Sequence, residues 1–423
     1  MRSESALPPA GFHVMAKPTG AICNLDCEYC FYLDKESLYA KGSRFRMSRE
    51  VLEQYVRQQF EAQKGEIVVF SWQGGEPTLM GRGFFEEAVE LQKRLGDGRC
   101  VENALQTNAV TLDDAWGAFF ARENFLVGVS IDGPGPLHDC YRVDKGGKPT
   151  FERVMRGIDV LRRHGVDFNT VTVVHERNVR HPLNVYRFLK DQGSGYMQFI
   201  PLVERLPSVS SRERGFTHAP PPSAAGEGEE QVTPWSVPPD AFGAFLVDIF
   251  DEWVRQDVGK VFVQLFDVAL GVWMGHPAGL CLFKENCGDA VALEHNGDVF
   301  SCDHFVYPRY RLGNILNKNL GELVRGPVQR AFGKQKSASL PDYCKRCDVR
   351  FACNGECPKN RFVLTPDGEP GLNYLCPAYK RFFHHIDPAM RGMAWLARHR
   401  RAPAEIMERG VPPRQPGPPP GWP

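Results

Sequence analysis

Cys23-Asn24-Leu25-Asp26-Cys27-Glu28-Tyr29-Cys30 sets three thiols within eight residues, at a C-x3-C-x2-C spacing. Phe12, His13, Val14 and Met15 just before it read as a strand, so the thiols fall in the loop that leaves a first strand. Three thiolates are one short of closing a four-coordinate metal site. A [4Fe–4S] cluster held by three thiolates keeps one iron open to an outside ligand. An open iron is a place for chemistry, and the chain reads as an enzyme.

Working outward, 423 residues can bury a sizeable core. Lys plus Arg number 51, as do Asp plus Glu, so no overall field favours nucleic acid or an anionic membrane. No run of about 18 apolar residues exists, and the N-terminus lacks a charged stretch followed by an apolar one. The expected location is cytoplasmic, with no nucleic-acid or membrane partner. Thirteen cysteines are many for such a chain, and eight of them fall between Cys281 and Cys376. Clustered thiols outside a small secreted scaffold favour metal over disulfides. Cys100 and Cys140 stand apart and read as buried free thiols.

Ser48 reads as an N-cap for an amphipathic helix through Gln63. The pattern then predicts strands at 66–72, 101–107, 125–131, 168–174 and 196–203, with helices near 83–95, 111–122, 150–164 and 182–191 between them. This β–α alternation argues for a parallel sheet with helices outside, curved into an open or closed barrel. The active site of such a sheet lies at the C-terminal strand ends. Gln73 to Glu76, Gln106 to Asn108, and Ser130 with Asp132 fall there, alongside the thiol loop.

The expected division is a leader at 1–10, a barrel core at 11–205, a Pro-rich insertion or linker at 206–239 and a helical connection at 240–280. A Cys-rich domain follows at 281–385, then a helix and disordered tail at 386–423, the tail from 402.

The thiol triplet Cys23, Cys27 and Cys30 resembles the signature of the radical S-adenosylmethionine (SAM) superfamily. The resemblance implies a partial (β/α)6 TIM-type barrel and a [4Fe–4S] cluster whose fourth iron is chelated by SAM. Tyr29 takes the place of the family's aromatic residue near the adenine. Gly74-Gly75-Glu76-Pro77 matches the motif that hydrogen-bonds the SAM amino group, where glycine lets backbone approach closely. Ser130, Asp132 and Arg142 resemble the ribose and carboxylate contacts, with Gln73 and Thr107 as further candidates.

Cys281-x5-Cys287-x14-Cys302 and Cys344-x2-Cys347-x5-Cys353-x3-Cys357, followed by Cys376, resemble the iron–sulfur SPASM domain of peptide-modifying radical SAM enzymes. Eight thiols match two fully ligated auxiliary [4Fe–4S] clusters, three clusters in all. Spacing leaves the pairing open. The resemblance implies that Cys281, Cys287, Cys302 and Cys357 hold the nearer cluster, and Cys344, Cys347, Cys353 and Cys376 the farther one.

Cys302-Asp303-His304-Phe305, Cys30-Phe31-Tyr32-Leu33 and Gln198-Phe199-Ile200-Pro201 resemble the anaerobic sulfatase-maturating enzymes. That resemblance spans residues 11–385 and implies oxidation of a sulfatase cysteine or serine to Cα-formylglycine. A 5′-deoxyadenosyl radical would remove a β-hydrogen, Asp303 would take the thiol or hydroxyl proton, and the second electron would leave through the auxiliary clusters. Tyr32 is a candidate peptide contact. Implied partners are an unfolded or nascent sulfatase and an electron donor such as flavodoxin or ferredoxin. Alternatives are a related enzyme that crosslinks small peptides, and a zinc-bound structural protein.

Overall fold

The computed structural model describes residues 11–213, 215–222 and 231–413. The expected leader, the middle of the insertion and the last ten residues lie outside that set. Strands β1 (His13–Lys17), β2 (Ile67–Trp72), β3 (Cys100–Thr107), β4 (Phe125–Ser130), β5 (Phe168–Val174) and β6 (Tyr196–Pro201) pair in chain order and in parallel. Helices Arg49–Ala62, Arg82–Leu95, Asp114–Arg122, Phe151–Arg163 and Pro182–Asp191 connect them. The Ser48 hydroxyl accepts the Val51 N–H at 3.2 Å and starts the first helix, as its sequence predicts.

Period-two alternation decides which face each strand buries. On β2, Val68, Phe70 and Trp72 are buried. Tyr55 and Phe60 of one flanking helix and Phe85 of the next meet their rings at 5.5–5.7 Å. Ile67 and Val69 face the other, open side and stay exposed. The open side is where a substrate can enter.

The sheet has ten strands rather than six, in the order β10-β9-β8-β1-β2-β3-β4-β5-β6-β7. Added are β7 (Phe262–Val263), β8 (Ala290–Glu294), β9 (Asp298–Phe300) and β10 (Arg311–Asn314). The first is only two residues long, and β8 lies inside the Cys-rich block with two alanines among its five residues. Neither carries a strong strand pattern. The consequence is large: β8 pairs in parallel with β1, setting Lys17 opposite Glu294. The Cys-rich block therefore completes the sheet of the barrel.

The expected boundary at 385 falls inside one unbroken helix, Cys376–Arg398, which packs Phe382 against Phe250 and Phe266. Residues 402–409, expected to be disordered, form two short helical turns, Pro403–Glu405 and Ile406–Arg409. Ile406 is buried and a Cβ at Gly392 would lie 3.0 Å from it, so one apolar residue anchors the segment. The insertion is likewise structured wherever it is described. It forms a helix at Val209–Glu213 and a bridge between Arg205 and Val232. Asp34, buried just past the thiol loop, accepts from Thr217 N (2.9 Å), Thr217 Oγ1 (2.6 Å), His218 N (2.8 Å) and His218 Nδ1 (2.9 Å). A carboxylate that accepts this many donors anchors the strap. Cys140 is half-buried, but Cys100, at the open first position of β3, is exposed rather than buried.

Candidate active site

The thiol loop is pinned by the end of β2. Gly75 N donates to Gly20 O and Glu76 N to Ile22 O, both at 2.9 Å. A Cβ at Gly75 would lie 2.1 Å from Ile22 O, and Gly74 has φ +118°. The glycine pair thus serves a close approach to the chain's own thiol loop. Glu76 is fully buried. Its Oε1 accepts from Thr78 N (3.0 Å), Thr78 Oγ1 (2.6 Å) and Thr107 Oγ1 (2.8 Å), and its Oε2 from Asn108 N (2.8 Å). Asn108 also reaches the loop, with Nδ2 2.8 Å from Asn24 Oδ1 and 3.6 Å from the Cys23 sulfur.

Tyr29 is buried beneath the loop. Its hydroxyl donates to Asp132 Oδ2 at 2.5 Å, and Arg142 grips the same carboxylate through Nε (2.8 Å) and Nη2 (3.1 Å). Burial opposes the Asp132 charge, yet the Arg142 guanidinium holds the carboxyl below its ordinary value. Tyr141 and His175 flank the Tyr29 ring at 6.1 and 6.2 Å. Asp132 and Arg142 are thus engaged with each other and with Tyr29, as a brace behind the loop. Ser130 Oγ accepts from Gln106 Nε2 at 3.0 Å. The Gln73 backbone N–H is fixed to Ala16 O. Leu25, Cys27, Tyr29 and Leu202 form a small apolar cluster, with Trp235 of the strap packed against it.

Asp303 arrives from the other side, after β9. Tyr32 donates to its Oδ2 at 2.6 Å, Lys17 contacts its Oδ1, and Lys35 donates to its backbone oxygen at 2.8 Å. Lys17 is fully buried, lies 3.6 Å from Glu294 and sits 4.6 Å over the Tyr32 ring. Burial works against the Lys17 charge, but Asp303 and Glu294 hold it above the ordinary lysine value. Burial likewise opposes Asp303, but the cations of Lys17 and Lys35 hold that carboxyl far below its usual range. Burial drives the Lys35 amine down to about 7, helped by the nearby Lys17 cation.

The remaining thiols gather in neighbourhoods. Cys344, Cys347, Cys353 and Cys376 line one cavity. Cys302 feels the charges of Cys281 and Cys287, and Cys357 those of Cys302 and Cys281. All thirteen cysteines are free thiols. Burial pushes Cys23, Cys302 and Cys353 up to about 12. Buried thiols of this kind ionise only when cations compensate them, which is what iron supplies to four thiolates. Among the described residues, no three His, Cys, Asp or Glu are arranged to hold a single metal ion. The donor set fits clusters, in which each thiolate binds a different iron.

Residues 18–189 match the Radical SAM superfamily, and residues 281–348 match the SPASM iron–sulfur cluster-binding domain. Fold and site together define a radical SAM enzyme, using SAM and iron–sulfur clusters. A serine-type anaerobic sulfatase-maturating enzyme of Bacteroides thetaiotaomicron is 47% identical over 94% of this chain and 94% of its own. A cysteine-type enzyme of Clostridium novyi is 32% identical over 88% of this chain and 94% of its own. The chain belongs to the family of anaerobic sulfatase-maturating enzymes. Native anSMEcpe with bound AdoMet and Cp18Cys peptide is 30% identical, with a TM-score of 0.78 over 92% of this chain and all of that one. Among the described residues no helix is long and apolar enough to cross a membrane.

Sequence reasoning missed Lys17, Lys35, Glu294 and Trp235. Lys17 offered a signal: a lysine ends an otherwise apolar strand and precedes the thiol loop. Its partners Glu294 and Asp303 lie far away in sequence, and only the pairing of β8 with β1 reveals them.

Proposed function

We propose that this enzyme oxidises a cysteine or serine in a sulfatase segment to Cα-formylglycine. The observation that carries the reading is the setting of Asp303, an ionised carboxylate 13% exposed, gripped by Lys17 and aimed by Tyr32. Cys23, Cys27 and Cys30 would hold the cluster that works with SAM, and together these groups would supply hydrogen-atom abstraction from the substrate β-carbon. Asp303 accepts the thiol or hydroxyl proton on Oδ2, the oxygen that already accepts from the Tyr32 hydroxyl. Tyr32 contacts the substrate side chain, and Lys17 keeps Oδ1 occupied so that one oxygen remains in play.

Cys281, Cys287, Cys302 and Cys357 would hold the nearer auxiliary cluster, and Cys344, Cys347, Cys353 and Cys376 the farther one. Gly74, Gly75, Glu76, Gln73, Thr107 and Ser130 form the wall for SAM, with Tyr29, Asp132 and Arg142 as its rigid backing. The unit from 11 to 205 would hold the radical-generating group, and the unit from 281 to 385 places Asp303 as base and would hold the clusters that take the second electron. The sulfatase segment binds unfolded, in the cytoplasm, and a flavodoxin or ferredoxin supplies electrons. The names of the relatives at 47 and 32% identity cover serine-type and cysteine-type substrates, so both are tested.

Mass spectrometry of a peptide with a Cys/Ser-x-Pro/Ala-x-Arg core, incubated anaerobically with SAM and reductant, tests the reading. A loss of about 18 Da from cysteine or about 2 Da from serine is expected. Asp303→Asn should keep SAM cleavage while product falls at least about a hundredfold, the scale of a lost general base. Wild-type product formation by that variant would remove Asp303 from the role.

A further inference from the structure

Two cations lie inside the Cys-rich block without a carboxylate partner. Gly333 lets the helix Pro327–Ala338 press against the Cys281–Cys287 segment: a Cβ there would lie 2.1 Å from Cys287 O. That approach carries Lys336 inward, where it is 1% exposed. Its Nζ donates to Cys281 O and Leu282 O, each at 2.7 Å. Arg361, at the start of β11 (Arg361–Leu364), is 4% exposed. Its guanidinium donates to Gly355 O (2.9 Å), Lys336 O (2.6 Å), Asn354 O (3.0 Å), Glu356 O (3.1 Å) and Ser339 Oγ (3.3 Å).

Every partner of both cations is a carbonyl or a hydroxyl. Among the described residues neither forms an ion pair with a carboxylate. The acid nearest in effect, Glu356, is fully buried and hydrogen-bonds instead to Asn360 and Asn373. A buried cation with only neutral acceptors is a costly arrangement unless an anion lies nearby. The anions available are thiolates. Lys336 and Arg361 share one cavity, of about 70 Å³, with Cys287. Lys336 Nζ is held on the Cys281 carbonyl, and its helix packs on Cys287. Arg361 donates to the carbonyls of Asn354, Gly355 and Glu356, which lie between Cys353 of one thiol set and Cys357 of the other.

We propose that Lys336 and Arg361 are fixed counter-ions of the auxiliary clusters, Lys336 serving the set of Cys281, Cys287, Cys302 and Cys357, and Arg361 standing between the two sets. This rests on the reading that those eight thiols hold clusters. A cluster with four thiolates is anionic and gains one further negative charge when it takes up an electron. A buried positive charge therefore favours the reduced form and raises the midpoint potential. Removing it makes the cluster a weaker acceptor for the electron that leaves the substrate.

The test uses the full chain with Cys23, Cys27 and Cys30 replaced by alanine, so that only the eight later thiols load iron. Anaerobic reconstitution is followed by an EPR-monitored reductive titration. Lys336→Gln keeps donors for the two carbonyls but removes the charge, and Lys336→Arg keeps the charge. The expected result for Lys336→Gln is a tenfold or greater fall in the reduced-to-oxidised ratio of one cluster at fixed potential, about 59 mV for a one-electron couple. Lys336→Arg should stay within threefold of the parent. Arg361→Gln should shift both clusters. Loss of iron in Lys336→Gln with full loading in Lys336→Arg also supports the charge role. Full loading with an unshifted potential in Lys336→Gln overturns the proposal, as does failure of both variants to load while their secondary structure is intact. If the parent itself takes up no iron, the cluster reading fails first and by a separate measurement.

Discussion

Lys17→Met removes the one cation that touches both buried carboxylates of the site. The methionine nearly matches the lysine stem in volume, so packing changes little. What changes is charge. Lys17, Glu294 and Asp303 have side-chain exposures of 1, 3 and 13%, so water cannot replace the lost ammonium. Breaking a buried pair by deleting one partner costs about 3–5 kcal/mol. The lost contact over the Tyr32 ring adds about 1 kcal/mol. The assay is a double-mutant cycle with Asp303→Asn, read by anaerobic denaturant unfolding. Lys17→Met alone should lose about 4–6 kcal/mol, and the double variant should recover at least about 1 kcal/mol of the summed single losses, because the two groups form one unit. In the peptide assay Lys17→Met should still cleave SAM while product falls about tenfold or more, since the carboxylate loses its fixed oxygen. Strict additivity, or a single-variant loss under about 1 kcal/mol, refutes the claim that Lys17 holds Asp303 in place.

Gly75→Ala should force the thiol loop aside, because its Cβ would lie 2.1 Å from Ile22 O. Iron analysis of the reconstituted variant should fall short of the parent by about four irons per chain. His138 is fully buried, and burial, with Arg142 adding to it, lowers its pKa from 6.5 to about 4. A histidine depressed in the fold stabilises it above its ordinary pKa, and that stability is lost as pH falls from 6.5 toward 4, by up to about 3 kcal/mol. Unfolding midpoints of the parent and His138→Gln should therefore converge between pH 7 and pH 4.5, and parallel curves would contradict this. Asp34→Ala removes the acceptor of four donors from Thr217 and His218, and tryptic cleavage at the exposed Arg212 should then speed up about tenfold. Unchanged cleavage would mean that the strap is held elsewhere.

The barrel was legible because its strands and helices keep their periods. Phe168–Val174 and Pro182–Asp191 fall where the apolar pattern sets them, and Ser48 caps as a serine before an amphipathic run should. The thiol spacings were legible because Cys23 to Cys30 and Cys344 to Cys357 crowd together in sequence, while which thiols share a set was not. Roles that depend on distant partners were not. That Asp132 and Arg142 meet each other and Tyr29 is not written in the strand end on which they fall. Nor is the close approach of Gly75 to Ile22 and of Gly74 to Gly20, which lie far apart in sequence. The insertion at 206–239 looks like a linker by composition, because the partners that hold its described parts, buried Asp34 among them, leave no pattern in the insertion itself.

The parallel pairing of β8 with β1 ties the two chemistries together. The thiol loop leaves β1 just beyond Lys17, and Asp303 follows β9, which returns antiparallel beside β8. Neighbouring strands lie about 4.8 Å apart. The thiol loop and Asp303 are thereby brought to one site, joined through Lys17. Lys17 comes from the radical-generating half and Asp303 from the Cys-rich half, so their ion pair forms only when both halves have joined one sheet. Tyr32 adds a second link, from the segment just past Cys30 to the same carboxylate. A separately expressed barrel would lose Asp303 and the strand that shields Lys17 together. The order of the strands thus brings the thiol loop and Asp303 to one place, through two contacts that need both halves of the sheet.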